Sequence, residues 1–285
     1  MSASPAAGAL LRSVLLGLAL VCSAEGGAAA AHEDLHERIA AVGREIARDP
    51  ARVDLYVKRG ELHRLHRDWA LARADIEHAG RLDARAAGLD LLRARLYVDL
   101  ERFDAAFVVV DRILDERPRD LDALALRATL AVRRARYAAA LRDFERLLEI
   151  ASPPRPELYL ARAAALLAES PADLARAVAS LDQGIAALGD LPSLQLRAIE
   201  LERARGRADA ALERLGRVAR RSARQERWLA ERGEILLEAG REAEARDAFE
   251  GALRAVAGLP AGPRETRAVR ELAQRVKARL AELDS

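Results

Sequence analysis

The chain has 285 residues, 51% hydrophobic and 32% charged, and its 47 basic and 45 acidic residues nearly cancel to a formal charge of +2. That balance excludes a disordered, self-repelling chain, and despite a pI near 9.0 it excludes the strong positive field of a nucleic-acid-binding protein. A single cysteine, Cys22, excludes an intramolecular disulfide and a cysteine-based metal site.

In chain order, Arg12 precedes an apolar run from Ser13 to Val21, and the small residues Ala24 and Ala28 to Ala31 follow. A charged start, a short apolar stretch and a small-residue zone predict a signal peptide over residues 1–31, cleaved near 24 or near 31. The mature chain is then exported, periplasmic or extracellular. The apolar run is too short to span a bilayer, which takes about 20 residues, so no transmembrane helix is expected in the mature chain. A lipid anchor on Cys22 is not expected either, because Val21 stands where lipoprotein signals carry a small residue.

Residues 32–52 predict an N-terminal capping helix, with Leu35, Ile39, Val42 and Ile46 on one face and Asp49-Pro50 ending it. Residues 53–260 then repeat. Gly60, Ala94 and Ala128 are spaced by 34; nine residues after each comes Trp69, Phe103 or Tyr137, then Ala72, Ala106 or Ala140, then Ile76, Val110 or Phe144. A fourth unit is set by Tyr159, Ala163, Ala177 and Leu181, with two extra residues near Ser170-Pro171. Gly206 and Gly240, again 34 apart, set the fifth and sixth, where Ala211 and Leu215 answer Ala245 and Phe249. Arg59 and Asp90 stand where apolar residues belong in this frame, and Ile199 where a small one does. Past Pro260 to Pro263, residues 261–285 predict a C-terminal capping helix with Val269, Leu272, Val276, Leu280 and Leu283 as its apolar stripe.

This beat resembles the tetratricopeptide repeat (TPR), whose unit places small residues at positions 8 and 20 and bulky apolar ones at 4, 17 and 24. The resemblance implies an all-α, right-handed superhelical solenoid of about six helix-turn-helix units between capping helices. It also implies that a protein or peptide partner binds a concave groove lined by the first helix of each unit. In this sequence those positions are Val57, Glu61, Arg64 and Leu65; Leu91, Arg95, Val98 and Asp99; Ala125, Thr129, Val132 and Arg133; Leu160, Ala164 and Leu167; and Leu196, Glu200 and Arg203. The family's Lys/Asn clamp for a peptide carboxylate is absent, since Val57 and Glu61 occupy its places. What is left is an apolar groove with scattered arginines, suited to a segment with apolar anchors and a few acids. The same residues read equally as packing positions.

No nucleophile elbow, phosphate-binding loop, dinucleotide fingerprint or EF-hand loop occurs, so neither an enzyme nor a cofactor is expected. His32-Glu33-Asp34-Leu35-His36 does match the H-E-x-x-H spacing that binds zinc on a helix. It reads alternatively as a charged first turn favourable to the helix dipole. Cleavage after Ala31 would free the amine of His32 to chelate a transition metal together with His36, His63 or His66. An exported metal-binding protein is therefore the alternative to an interaction scaffold, although His63 also fits a packed core position. Arg217, Arg220, Arg221, Arg224 and Arg227 form a basic stripe, read either as a solvated face or as a docking patch for an acidic partner or anionic headgroups.

Overall fold

The computed structural model describes residues 25–284, so Cys22 and residues 1–24 of the expected signal peptide lie outside the described residues, while residues 25–31 of that segment begin the first helix. Fifteen helices and no strand occur among the described residues, which divide into two compact units between Pro154 and Arg155.

The first unit holds α1 (Glu25–Arg48), α2 (Val53–Leu65), α3 (Trp69–Leu82), α4 (Leu89–Asp99), α5 (Phe103–Glu116), α6 (Leu121–Arg133) and α7 (Tyr137–Ile150). Each helix packs on the next, and α2, α4 and α6 also touch in a row. The second unit holds α8 (Pro156–Glu169), α9 (Leu174–Leu188), α10 (Pro192–Ala204), α11 (Ala208–Ala219), α12 (Glu226–Glu238), α13 (Glu242–Ala257), the single turn α14 (Ala261–Arg264) and α15 (Arg267–Leu283). Helix pairs thus stack within each unit as a TPR-like solenoid does.

The small residues explain the close pairing. Ala94, Ala128 and Ala163 on the first helices, and Ala72, Ala106, Ala140, Ala177, Ala211 and Ala245 on the second, are all fully buried. With no side chain beyond Cβ, they let the helices of a pair approach until the bulky neighbours interlock. Gly60 and Gly233 hold the same position: a Cβ on Gly60 would sit 3.0 Å from Leu92 Cδ2, and one on Gly233 would enter the Phe249 ring.

The turn inside each pair is equally determined. Arg67, Glu101, Ala135, Gly206 and Gly240 occupy one repeat position and all have left-handed backbone, with φ from 54° to 71°. The following amide reaches back to the last helical turn, as in Asp68 N to His63 O at 2.8 Å and Arg241 N to Leu236 O at 2.9 Å. This Schellman closure satisfies carbonyls that would otherwise be orphaned. The fourth unit, with two extra residues, ends its first helix at Ser170, whose amide donates to the Leu166 carbonyl at 2.9 Å, and the Asp173 carboxylate then caps the start of α9 by accepting from Arg176 N at 3.2 Å.

The three departures from the repeat each find a physical resolution. Asp90 pairs with Arg93 at 2.6 Å and Arg112 at 2.9 Å, while its neighbours Leu89 and Leu92 fill the core. Arg59 turns to Asp75. Ile199 is buried with Ala211, Leu215 and Ile235. In the same unit Gln195 stands where others carry Tyr56, Leu124 or Tyr159, and Glu202 where others carry Ala131, Leu166 or Leu236. Both are buried, and both are satisfied. Gln195 donates to Asp190 at 2.7 Å, and Arg205 reaches Glu202 at 2.9 Å.

Helices at both ends pack onto their neighbours. Val42 and Ile46 of α1 join Leu55, Tyr56 and Leu62 in one core, with Leu35 and Ile39 at its edge. On α15, Val276 joins Phe249 and Ala252, flanked by Leu272, Leu280 and Leu283. Arg246 fastens the end of α15 by donating to the Leu283 carbonyl at 2.9 Å.

Candidate functional site

The row of first helices carries the residues expected to line a partner site. In the first unit, Val57, Leu91, Ala125, Thr129 and Val132 are half-buried and Leu65 and Arg133 are exposed. Val98 is 6% exposed and belongs to the core instead, because its helix packs against both neighbours in the row. The Thr129 hydroxyl donates to the Ala125 carbonyl at 2.9 Å and so presents little free hydrogen-bonding capacity.

The charges of this row are already matched across repeats. Glu61 accepts from Arg64 Nε at 2.8 Å and from Arg95 Nη1 at 3.3 Å, and Arg64 Nη1 reaches Asp99 at 2.5 Å. Arg95 also lies 3.5 Å from Asp122. Burial opposes the charge on Arg64, but the hydrogen bonds to Glu61 and Asp99 outweigh it, so the guanidinium is held charged more firmly than a free one. The expectation that Arg64 and Arg95 wait for a partner's acids is therefore corrected: both are spent on internal carboxylates. Among the predicted arginines of the first unit, Arg133 alone has no ion pair among the described residues.

In the second unit, Leu160, Ala164 and Leu196 are half-buried and Glu200 is exposed. Leu167, 7% exposed, is a core residue. Arg203 is clasped from α12: Glu238 accepts Nε at 2.9 Å and Nη2 at 2.5 Å, and Glu231 takes Nη1. The Glu238 bonds, working against burial, raise its pKa. Arg203 is thus an internal clamp between repeats as well.

The metal candidates converge only in part. His36 of α1 meets the His66 ring edge-on at 4.3 Å. His66 Nδ1 lies 2.7 Å and His63 Nδ1 3.6 Å from the same Asp68 Oδ2. His63 is 8% exposed and packs in the core. The hydrogen bond from His66 holds the Asp68 carboxyl below its usual range. The His32 side chain is outside those described, and among the described residues no three His, Cys, Asp or Glu side chains stand where they could hold a metal ion. No helix of the described residues is long and apolar enough to cross a membrane.

Sequence reasoning missed two features. One is the clasp of Arg59 on Asp75, repeated by Arg127 on Asp143. Its signal was present as an Arg and an Asp separated by 16 residues in the first and third units. The other is the buried Gln195–Glu202 network, which left no trace beyond polar residues in apolar positions.

No protein-family model matches the sequence, and no curated protein matches it. Solved structures do. The C-terminal part of a TPR-containing protein from Cytophaga hutchinsonii is 14% identical with a TM-score of 0.58, covering 80% of this chain and 95% of that one. PilF of Pseudomonas aeruginosa is 15% identical with a TM-score of 0.52, covering 81% and 99%. A tetratricopeptide repeat protein from Parabacteroides merdae is 19% identical with a TM-score of 0.51, covering 86% and 93%. At these identities the likeness is one of fold, and the fold of this chain is that of the tetratricopeptide-repeat proteins.

Proposed function

We infer that the chain is an exported protein–protein interaction scaffold, not an enzyme, and that a partner segment lies along the row formed by α2, α4 and α6. The observation that carries this reading is the composition of that row. Half-buried Val57, Leu91, Ala125 and Val132 are framed by charges already paired with one another. Such a surface rewards apolar side chains of a partner with burial worth about 25 cal/mol per Å². Apart from the exposed Arg133, it asks no desolvation of unpaired charge. Export rests on Arg12, the run from Ser13 to Val21 and the small residues after it.

A photo-crosslinking amino acid at Leu91, in cells of the native host, tests the site. The expected result is a discrete adduct at Leu91 that is absent when the same group replaces Arg146, on the second helix of its pair. An equal adduct pattern at both positions would remove the row from consideration.

A further inference from the structure

The second unit carries positive charge away from its first helices, on the turn from α11 to α12. The turn from α11 to α12 reads Arg220-Arg221-Ser222-Ala223-Arg224-Gln225, with Arg217 just before it and Arg227 just after. Other turns between repeats carry less uncompensated positive charge: Asp83 stands near Arg85, and Arg117 pairs with Asp120 at 3.3 Å, leaving Arg119 in that turn. Two of the five arginines are neutralised locally, Arg217 by Glu213 and Arg224 by the buried Glu226, both at 2.5 Å. The remaining three, Arg220, Arg221 and Arg227, are exposed and have no carboxylate partner among the described residues.

Two of these three are nevertheless held in place. Arg221 Nη1 donates to the Asp190 carbonyl at 2.9 Å, and the Arg227 guanidinium lies 5.0 Å over the Trp228 ring. A carbonyl and a π face orient a guanidinium without cancelling its charge, and stacking leaves its N–H edge open. The acids on neighbouring elements are engaged elsewhere: Asp182 with Arg214 at 2.7 Å, and the Asp190 carboxylate with Gln195 at 2.7 Å. The turn thus presents three uncompensated cations, two of them pre-oriented, and pre-orientation lowers the entropic cost of binding an anion.

We propose that the α11–α12 turn docks a carboxylate-rich segment of a partner protein, independently of the apolar row on the first unit. Arginine binds carboxylates bidentately, and three open guanidiniums match a short run of Asp or Glu. A bilayer suits the turn less well. The large exposed apolar side chains Leu65, Leu71, Leu82, Val108 and Leu121 all lie in the first unit, and polybasic membrane segments use about 4–8 basic residues. Duplex nucleic acid would meet too few free cations in a nearly neutral chain.

The test is fluorescence anisotropy of a labelled octaglutamate peptide with the purified chain at about 50 and about 200 mM salt. The triple variant R220Q/R221Q/R227Q is expected to bind roughly tenfold more weakly or worse, while R142Q/R146Q, which removes exposed arginines from α7, binds as the parent does. The variant R220K/R221K/R227K, which keeps the charge, is expected to recover part of the affinity and shows that loss in the glutamine variant is not misfolding; circular dichroism checks helicity in all. Absence of peptide binding at low salt, equal weakening in R142Q/R146Q, or tighter binding to phosphatidylserine vesicles or a single-stranded oligonucleotide than to the peptide each overturns the proposal.

Discussion

Arg59 and Asp75 face each other across the first helix pair, Nε to Oδ2 at 2.9 Å and Nη2 to Oδ1 at 2.6 Å, and Arg127 and Asp143 reproduce that fork two repeats later at 2.9 and 2.7 Å. The carboxylates are buried, with side chains 6% and 8% exposed, while the arginine side chains are 26% and 29% exposed. Removing the arginine therefore strands a desolvated carboxylate, whereas removing the carboxylate leaves a cation that water can reach. Arg59→Ala is expected to destabilise by roughly 1–3 kcal/mol, and Asp75→Ala by less. Urea unfolding followed by circular dichroism checks the order; equal losses would mean that the clasp is not asymmetric in burial.

The left-handed turn position offers a cleaner backbone experiment. A non-glycine residue there pays about 1–2 kcal/mol, partly offset by the greater chain entropy that glycine loses on folding. Arg67, Glu101 and Ala135 are exposed. Ala135→Gly and Glu101→Gly should each stabilise the chain by about 0.5–1 kcal/mol. Gly206→Ala and Gly240→Ala, where a new Cβ meets nothing within 4 Å, should cost about 1 kcal/mol through backbone strain alone. Thermal melts of the four single variants decide it, and a destabilised Ala135→Gly would refute the account.

Packing at the small position separates two glycines. A Cβ on Gly60 would meet the end of Leu92 at 3.0 Å and the Asp75 Cβ at 3.3 Å, which asks for small shifts, but on Gly233 it would overlap the fully buried Phe249 ring. Gly233→Ala is expected to cost about 1–3 kcal/mol and Gly60→Ala clearly less. Denaturant midpoints of the two variants give the comparison, and partial rescue of Gly233→Ala by Phe249→Leu would confirm the clash.

Asp68 gives the chain a measurable acid dependence. Its folded pKa is lowered first by the His66 hydrogen bond, with His63 adding to it, against the opposing effect of desolvation. A carboxyl with a depressed folded pKa contributes stability that is present above the unfolded value of about 3.9 and lost as pH falls through the folded value. The melting temperature of Asp68→Asn should fall below the parent's at pH 5 to 6, and the gap should close as the pH drops below the usual carboxylate range and through the lowered folded value. A gap that persists in acid would assign the contribution of Asp68 to something other than its charge.

Much of this architecture was written in single residues. The 34-residue beat of Gly60, Ala94 and Ala128 specifies close helix pairs, because only small side chains permit them. Gly206 and Gly240 mark turns because glycine adopts a positive φ without the strain that Arg67, Glu101 and Ala135 bear at the same position. The caps, too, follow from one apolar stripe each on α1 and α15. The inner row was legible as a set of positions but not as a surface. Arg64 and Asp99 are 35 residues apart in sequence, and Arg203 and Glu238 likewise. Whether such an arginine is open to a partner or closed on its own chain depends on where stacking brings the next repeat's carboxylate, and ion pairing acts through distance in space, which the chain order does not encode. For the same reason Val98 and Leu167, apolar and correctly spaced for a groove, proved to be core. Local steric rules act within a turn of the chain and are carried by the sequence; charge pairing and burial between repeats were decided only when the helices stacked.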